Sequence, residues 1–418
     1  MKINMIGKRI LFVLLWTFLY AVGLALSMIV FFGLAFFTDH IRINSAIALL
    51  FFFTSIGLIS WLLCRKKSYA RMATCFVVLT IPPLAFVVMT VFRPVAAQDT
   101  VVAPRSDTQF WDLSTGSRIA YSVIPAVGAP KPFPLVYLHG GPGSAISPTE
   151  YAFYKQFAED GFTVYLYDQV GSGVSARLDD MRQYTVQRDI DDLEAIRKKI
   201  GAEQIILASQ SWGGVLASRY MVSYPQRVAK AIFVSPGELW NLDRFPLRFD
   251  RTANAAFPDV INPPIRFFFA LVLLRINPNA AQNLLPQAEI ANYMQSLPPV
   301  LLNAQNYCLD DVERIPTEGT IGTNPYVNQL VQADKARLPD PRQQLKTVTS
   351  PILVLHGDCD FIPLEARQEY TETFPHATLV ILPQTGHAII GTQPILAKKI
   401  MQAFLFDQPI PTISDTAK

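Results

Sequence analysis

Three residues of this sequence have the types and the chain order needed for nucleophilic catalysis, namely Ser211, Asp360 and His387. A serine hydroxyl is a weak nucleophile at neutral pH, so it requires a neighbouring base, and that base requires a group that orients it. Asp360 and His387 each follow a predicted strand. We therefore predict that Ser211 is a nucleophile, His387 its base and Asp360 the orienting acid, with Asp358 as the alternative acid.

The residues around Ser211 are typical of a tight turn between a strand and a helix. Ile205–Ala208 is a short apolar run, and a helical pattern begins at Val215. Such a turn requires small residues two positions before and two after the serine, where Ser209 and Gly213 stand. Glycine is usual in place of Ser209, so an ordinary strand followed by a helix is the alternative interpretation.

A tetrahedral intermediate needs N–H donors directed at its oxyanion. The glycine-rich segment His139–Gly143 follows a predicted strand. We predict that the amide of Gly141 is one donor and that the amide of Trp212, the residue after the nucleophile, is the other. A flexible Gly-Pro loop is the alternative. We expect His139 to be structural, since His387 is better placed as the base.

Strands alternate with helices in the second part of the chain. Strands are predicted at residues 110–113, 118–124, 135–138, 163–167, 204–208, 230–234, 352–355 and 378–382. Helical stretches, clearest at 188–200, predict a mainly parallel sheet covered on both faces, with an antiparallel leading edge. Serine, aspartate and histidine in this order, each beyond a strand, are typical of the α/β-hydrolase fold. We place its core at residues 108–235 and 350–418.

The alternation stops between residues 236 and 349, where the pattern is helical and rich in proline. We predict a helical cap over the carboxyl ends of the strands, where ligands bind in open α/β sheets. Phe267–Leu274 is an apolar run inside this insert and is too short to span a bilayer. We interpret it as a buried cap helix, with a patch that enters the membrane surface as the alternative.

The first part of the chain has the composition of a membrane region. Half of the 418 residues are hydrophobic and only 17% are charged. Residues 10–37, 43–64 and 72–92 carry no charge, and each run exceeds the ~18 apolar residues that indicate a spanning helix. We predict three transmembrane helices in residues 1–93, the third bent near Pro82, and a tether at 94–107. A cleaved secretory signal is disfavoured because the first apolar run is too long.

The basic residues of this region predict its orientation. They precede the first apolar run or separate the second from the third, at Lys2, Lys8, Arg9, Arg65, Lys66, Lys67 and Arg71. By the positive-inside rule these segments are cytoplasmic, so we expect the catalytic part outside the cytoplasm of a multi-pass membrane protein. The sequence has no Asn-X-Ser/Thr site, in keeping with a bacterial cell membrane.

Composition also limits the partners. The net charge of +3 is too small to indicate nucleic acid. The four cysteines have neither a CxxC pair nor zinc-ligand spacing, so they give no indication of a zinc site. We expect Cys308 and Cys359 to be unpaired, with a disulfide between them as the alternative. The predicted partners are a small peptide or acyl substrate and the lipid bilayer.

Three motifs together resemble the proline iminopeptidase family of α/β-hydrolases. They are His139–Gly143, Asp168–Ser175 and Ser211–Gly214, and the resemblance extends from about residue 108 to the C-terminus. It implies release of an N-terminal residue, often proline, from short peptides without a metal or cofactor. It also implies that the Asp168–Ser175 loop packs beneath the active site.

The sequence departs from this family in its membrane region, at Ser209 and in the cap. An exopeptidase that binds a free amine needs a carboxylate near the nucleophile, and Glu238 is the candidate in sequence, with a solvated cap residue as the alternative. An esterase or lipase acting on acyl substrates near the membrane is the rival function. A receptor or scaffold with an inactive hydrolase domain is a further alternative, which the intact triad disfavours.

Overall fold

The computed structural model describes residues 5–64, 69–93, 103–240, 263–295, 306–308 and 322–411. The chain forms two compact units. The helical unit consists of Met1–Ala97 and Pro263–Glu289, and the sheet unit of Gln98–Asn262 and Ile290–Lys418. Each unit is therefore assembled from two separate segments of the chain.

The helices and strands follow the chain in this order. The α-helices are α1 Met5–Ala35, α2 Ile41–Cys64, α3 Tyr69–Val87, α4 Pro148–Tyr154, α5 Val186–Ile200, α6 Trp212–Ser223, α7 Ile265–Ile276, α8 Pro278–Leu284, α9 Gln287–Gln295, α10 Pro325–Lys335, α11 Arg342–Leu345, α12 Leu364–Thr373, α13 Ile389–Thr392 and α14 Pro394–Leu405. The strands are β1 Gln109–Asp112, β2 Arg118–Ile124, β3 Leu135–Leu138, β4 Val164–Tyr167, β5 Ile205–Gln210, β6 Val228–Val234, β7 Ile352–Gly357 and β8 Ala377–Leu382. A π-helix, Val88–Phe92, continues α3.

Two helices of the helical unit are long and apolar enough to cross a membrane. They are Val13–Ala35 within α1 and Ile41–Leu62 within α2. In the part of the chain that the structure describes, the third apolar segment is only Thr80–Phe92. At 1.5 Å per residue this segment is shorter than the roughly 30 Å hydrocarbon core of a bilayer. The prediction of three spanning helices is thus reduced to two.

Residues 263–289, which we predicted to be part of the cap, belong to the helical unit instead. The Nδ2 group of Asn277, between α7 and α8, donates to the Ala35 carbonyl at 2.9 Å and to Asp39 Oδ1 at 2.6 Å. The ring of Phe269 on α7 stacks on Phe32 of α1, with 5.8 Å between the ring centres. Sequence patterns could not show this because the contacts join positions more than 230 residues apart.

The sheet unit contains one eight-stranded sheet in the order β1-β2-β4-β3-β5-β6-β7-β8. The pairings of β1 with β2 and of β2 with β4 are antiparallel, and all others are parallel. The α/β fold class and the antiparallel edge are as predicted, and each strand boundary lies within two residues of the predicted one. The central strands contribute buried side chains to the hydrophobic core, among them Leu135, Ile206 and Ile232.

A buried polar network fixes α6, the helix that follows Ser211, against α5. Glu194 on α5 forms an ion pair with Arg197 at 2.7 Å, and both side chains are buried. The hydroxyl of Tyr220 on α6 donates to Glu194 at 2.8 Å. Each of these three side chains has a hydrogen-bonding partner, so no buried charge is left unpaired. The network therefore fixes α6 on α5.

Cys308 and Cys359 form a disulfide, with 5.5 Å between their α carbons. The expectation of two unpaired thiols was therefore wrong. The bridge ties the segment Asn306–Cys308 to the loop after β7, and the Asn306 carbonyl accepts a hydrogen bond from the Ala388 amide at 2.8 Å. A sequence separation of 51 residues gave no indication that the two α carbons lie so close.

We expect Cys308→Ser, Cys359→Ser and the double variant to lower the apparent melting temperature of the purified protein equally. Closing a loop of this length contributes about 2–4 kcal/mol, which corresponds to a fall of at least about 5 °C. Melting with and without reductant measures the effect, and reductant should lower only the wild type. An unchanged wild-type melting curve after complete reduction would show that the bridge does not constrain the fold.

Candidate active site

Ser211 has a strained backbone conformation at the junction of β5 and α6. Its φ of 50° and ψ of −116° lie outside the regions that non-glycine residues normally occupy. Three backbone hydrogen bonds hold it there: its amide donates to the Val234 carbonyl at 3.1 Å, and its carbonyl accepts from Gly214 at 2.9 Å and Gly237 at 2.8 Å. Such strain persists only where surrounding contacts enforce it, and it frequently marks a functional site.

The residues two positions from Ser211 are small because neighbouring backbone leaves little room. A Cβ atom at Gly213 would overlap the carbonyl group of Leu138 at the end of β3. Ser209 is fully buried, and its hydroxyl donates to the Ile232 carbonyl on β6 at 3.0 Å. The serine at this position is thus accommodated by a hydrogen bond, which explains the departure from glycine.

His387 and Asp360 form a buried pair. His387 Nδ1 lies 2.9 Å from Asp360 Oδ1, and the two residues are 5% and 3% exposed. The same carboxylate oxygen accepts the Ile362 amide at 3.0 Å, and Asp360 Oδ2 lies 3.4 Å from Arg367 Nη2. Because an ionised carboxylate only accepts hydrogen bonds, the proton belongs on Nδ1, and Nε2 is left as the basic nitrogen.

The charges around Asp360 keep its carboxyl group ionised. Burial alone raises the pKa of Asp360, but the charge and hydrogen bond of His387, followed by the charge of Arg367, outweigh burial. The net effect lowers the pKa below its ordinary value. An ionised Asp360 can orient His387 and stabilise its protonated form.

Asp358, the alternative acid, has a different role. Its side chain is exposed, and its Oδ1 atom accepts a hydrogen bond from the Thr385 amide at 3.1 Å. It therefore holds the loop that leads to His387 rather than the imidazole. The structure places Asp360, not Asp358, against the histidine.

The three candidate residues follow strands that lie on one half of the sheet. Ser211 follows β5, Asp360 follows β7 and His387 comes after β8, and β5 to β8 are consecutive and parallel. The carboxyl ends of parallel strands lie at the same edge of a sheet, which is where ligands bind in open α/β folds.

His139 and Gln169 join the glycine-rich loop to the serine turn. The Gln169 amide donates to His139 Nε2 at 2.9 Å, so Nδ1 carries the proton and bonds to the Gly140 carbonyl at 2.8 Å. The Gln169 side chain donates to the His139 carbonyl at 2.9 Å and accepts from Trp212 Nε1 at 3.1 Å. His139 is therefore structural, as expected.

The Asp168–Ser175 loop is held by its own aspartate. Asp168 accepts the amides of Ile146 and Val174, each at 3.0 Å, and its carbonyl accepts the Ser175 hydroxyl at 2.6 Å. These bonds agree with the structural role that the sequence predicts for this loop.

The two candidate oxyanion donors flank Ser211. Trp212 is the first residue of α6, so its amide has no acceptor within the helix. Gly141 has a φ of 120°, and a Cβ there would lie 2.7 Å from the Ser144 amide nitrogen. Only glycine suits this position, and the preceding Gly140 packs against the Ser211 side chain.

Glu238, the candidate for binding a substrate amine, is already paired. It is 8% exposed, and it forms an ion pair with Lys335 at the end of α10, a residue that is 4% exposed. Burial lowers the pKa of Lys335 even though the charge of Glu238 opposes the shift. Glu238 is therefore neither solvated nor a free carboxylate, and both sequence interpretations of it require correction.

Two residues that lie beside Asp360 were not predicted from the sequence. Arg367 on α12 is fully buried and contacts Asp360, and His356 Nδ1 lies 3.9 Å from Asp360 Oδ2, too far for a hydrogen bond. Burial, followed by the charge of Arg367, lowers the pKa of His356 to about 4. A basic residue in the first helix after the acid is the only signal that could have indicated Arg367.

The sheet topology and the serine turn define this protein as an α/β-type hydrolase. The chain belongs to the alpha/beta hydrolase fold family, which matches residues 134–394. It is related to proline iminopeptidases. That of Heyndrickxia coagulans is 27% identical over 282 residues, covering 65% of this chain and 90% of the relative.

Two further similarities bear on part of the chain. The proline iminopeptidase of Lactobacillus delbrueckii subsp. lactis is 40% identical over 115 residues, which is 26% of this chain and 38% of that protein. A thermophilic esterase from Thermogutta terrifontis has a similar structure, with a TM-score of 0.50 and 19% identity, covering 72% of this chain and 99% of the esterase. The latter similarity concerns the fold alone.

We expect the buried His356 to make the protein sensitive to mild acid. Its pKa is about 4 in the folded state against an ordinary value of 6.5, so between these values the unfolded chain takes up a proton that the folded protein does not. Stability is therefore lost as pH falls from 6.5 to 4, by on the order of 3 kcal/mol. Melting of wild type and His356→Asn across this range measures it, and the variant should lose less.

A matched control for this experiment is His376→Asn, which changes an exposed histidine of the same unit. It should follow the wild-type pH dependence. Parallel curves for wild type and His356→Asn would contradict the assignment of the acid sensitivity to His356.

Proposed function

We propose that this protein is a serine hydrolase in which Ser211, His387 and Asp360 form the catalytic triad. The observation that carries the proposal is the buried His387–Asp360 pair at 2.9 Å, located at the same edge of the sheet as the strained Ser211. The arrangement supplies a nucleophile at the end of one strand, and a base and its orienting acid at the ends of two others.

The proposed reaction has two halves. Ser211 attacks the substrate carbonyl carbon while His387 Nε2 takes the hydroxyl proton, and Asp360 stabilises the resulting imidazolium. The amides of Gly141 and Trp212 stabilise the oxyanion of the tetrahedral intermediate. His387 then gives its proton to the leaving group, and a water molecule releases the acyl group from Ser211 by the same steps.

We propose that the substrate is a short peptide with proline at its N-terminus, from which the enzyme releases that residue. The relationship to proline iminopeptidases over 90% of one relative supports this choice. An acyl ester is the second candidate, because the pairing of Glu238 with Lys335 removes the carboxylate expected to bind a free amine. An ester substrate has no ammonium group and needs no such carboxylate.

We propose further that the helical unit anchors the enzyme in a membrane with its catalytic part outside the cytoplasm. Two helices are long and apolar enough to span, and the basic residues at the ends of the apolar segments favour this orientation. The Cys308–Cys359 disulfide is also typical of an oxidising compartment.

Ser211→Ala should reduce hydrolysis by at least about 10³-fold without unfolding the protein, because it removes only the nucleophilic oxygen. Turnover and covalent labelling by a fluorophosphonate measure the effect, and the label on wild type should map to Ser211. Ser218→Ala is the matched control, since its buried hydroxyl donates to the Gly214 carbonyl at 2.8 Å in the first turn of α6 and is not part of the proposed triad. Retained turnover in Ser211→Ala would exclude the proposed mechanism.

The substrate class can be decided by assaying proline 4-nitroanilide beside short-chain and long-chain nitrophenyl esters. If the peptidase assignment is correct, kcat/KM for the proline anilide should exceed that for its N-acetylated form at least about tenfold, because acetylation removes the charge that the site binds. The rates with the esters show whether the nucleophile is reactive in the same preparation. Hydrolysis of the esters alone would assign the enzyme to acyl substrates.

A further inference from the structure

The helical unit contains an apolar cavity of about 320 Å³. Its walls come from α1, α2, the end of α3 with the π-helix that follows it, and α7. Residues from each wall include Leu24, Ala48, Phe52, Leu84, Val91 and Phe269. The insert between the sheet segments thus completes a cavity whose other walls come from the N-terminal helices.

Among the described residues, the side chains that line the cavity offer no free hydrogen-bond donor. In the described part of the chain, Ser27 and Ser45 are the two polar residues that line the cavity. The Ser27 hydroxyl donates to the Gly23 carbonyl at 2.8 Å, and the Ser45 hydroxyl to the Ile41 carbonyl at 2.7 Å. Both hydroxyl groups are used within their own helices. Water needs two to four polar partners and is not stabilised here, so the cavity suits hydrocarbon.

The mouth of the cavity is also apolar. Three lining residues are exposed, namely Met28 at 37%, Phe86 at 54% and Ile265 at 39%. On α7 the neighbouring side chains of Phe268 and Leu271 are exposed as well, at 56% and 52%. A continuous apolar surface of this kind is unfavourable in water but matches the acyl region of a bilayer.

The cavity lies in one half of the helical unit. Its lining residues come from the second half of α1 and the first half of α2, so they are near the loop that joins these helices. At that loop the Asp39 carboxylate accepts a hydrogen bond from Asn277 Nδ2 at 2.6 Å, and the Asp39 backbone carbonyl accepts one from Asn283 Nδ2 at 3.0 Å, which marks a polar boundary. The helix α7, of 12 residues and about 18 Å, ends beside this boundary and is too short to cross the roughly 30 Å core of a bilayer.

We propose that this cavity binds one acyl chain of a bilayer phospholipid, taken from the leaflet beside the α1–α2 loop, with α7 embedded in that leaflet as one wall. An apolar cavity of ~150 Å³ holds a benzene molecule, so twice that volume accommodates roughly a dozen carbons of a chain. This inference rests on the two candidate spans and is independent of the proposed hydrolysis.

The test uses the full chain reconstituted in phospholipid vesicles that contain a phosphatidylcholine with a diazirine in one acyl chain. Illumination, digestion and mass spectrometry should locate adducts on lining residues such as Ala48 and Phe269. Ala48→Phe should reduce these adducts at least about fivefold, because the ring occupies the space of the chain. If Ala48→Phe does not fold, Ser45→Leu replaces it as a smaller change among the lining residues, and it should also reduce the adducts.

The matched control is Leu271→Phe, which adds volume on the exposed face of α7 and outside the lining, and it should leave the adducts unchanged. Size-exclusion profiles in detergent establish that each variant is folded. Undiminished adducts in folded Ala48→Phe or Ser45→Leu would overturn the proposal. So would adducts spread evenly over outward residues such as Phe18 and Ile29, or adducts obtained with a diazirine fatty acid but not with the phospholipid.

Discussion

The close approach of α6 to the end of β3 determines the geometry of the candidate site. Gly213 contacts the Leu138 carbonyl with no space for a side chain, so the helix begins directly against the strand. This contact sets the separation between Ser211 and the loop that starts at His139. The same junction contains the strained backbone of Ser211, and the Gln169 side chain bonds across it to His139 and Trp212.

A second constraint concerns charge. Asp360 and Arg367 are both fully or almost fully buried, and burying charges is unfavourable unless they are paired and hydrogen-bonded. The carboxylate meets this condition through His387, Ile362 and Arg367. His356 beside them stays neutral at ordinary pH because burial, followed by the charge of Arg367, lowers its pKa. The carboxylate therefore faces one histidine at hydrogen-bond distance and another, farther away, that is held neutral.

The sequence predicted the sheet well because local signals determine it. Apolar runs and turn residues located all eight strands, and the Ser211 and Asp360 motifs stood directly after their strands. What failed depended on contacts between distant segments. Nothing near Glu238 indicates Lys335, nothing near Cys308 indicates Cys359, and the apolar run of α7 fits a buried cap helix as well as it fits a wall of the helical unit. The count of spans is reduced because the third apolar helix in the described part of the chain, Thr80–Phe92, is shorter than the other two.

The anchoring of Asn277 to Asp39 has a consequence for biosynthesis. The N-terminal helices emerge from the ribosome long before α7 exists, so they must remain without one of their packing partners while more than 200 further residues are made. The sheet is also incomplete during synthesis, because β6 pairs with β7 and β7 is translated only after the insert. Contacts of such long sequence separation form slowly. Neither unit can therefore complete its folding until most of the chain has been translated, and the face of α1 that packs on α7 stays uncovered during this interval.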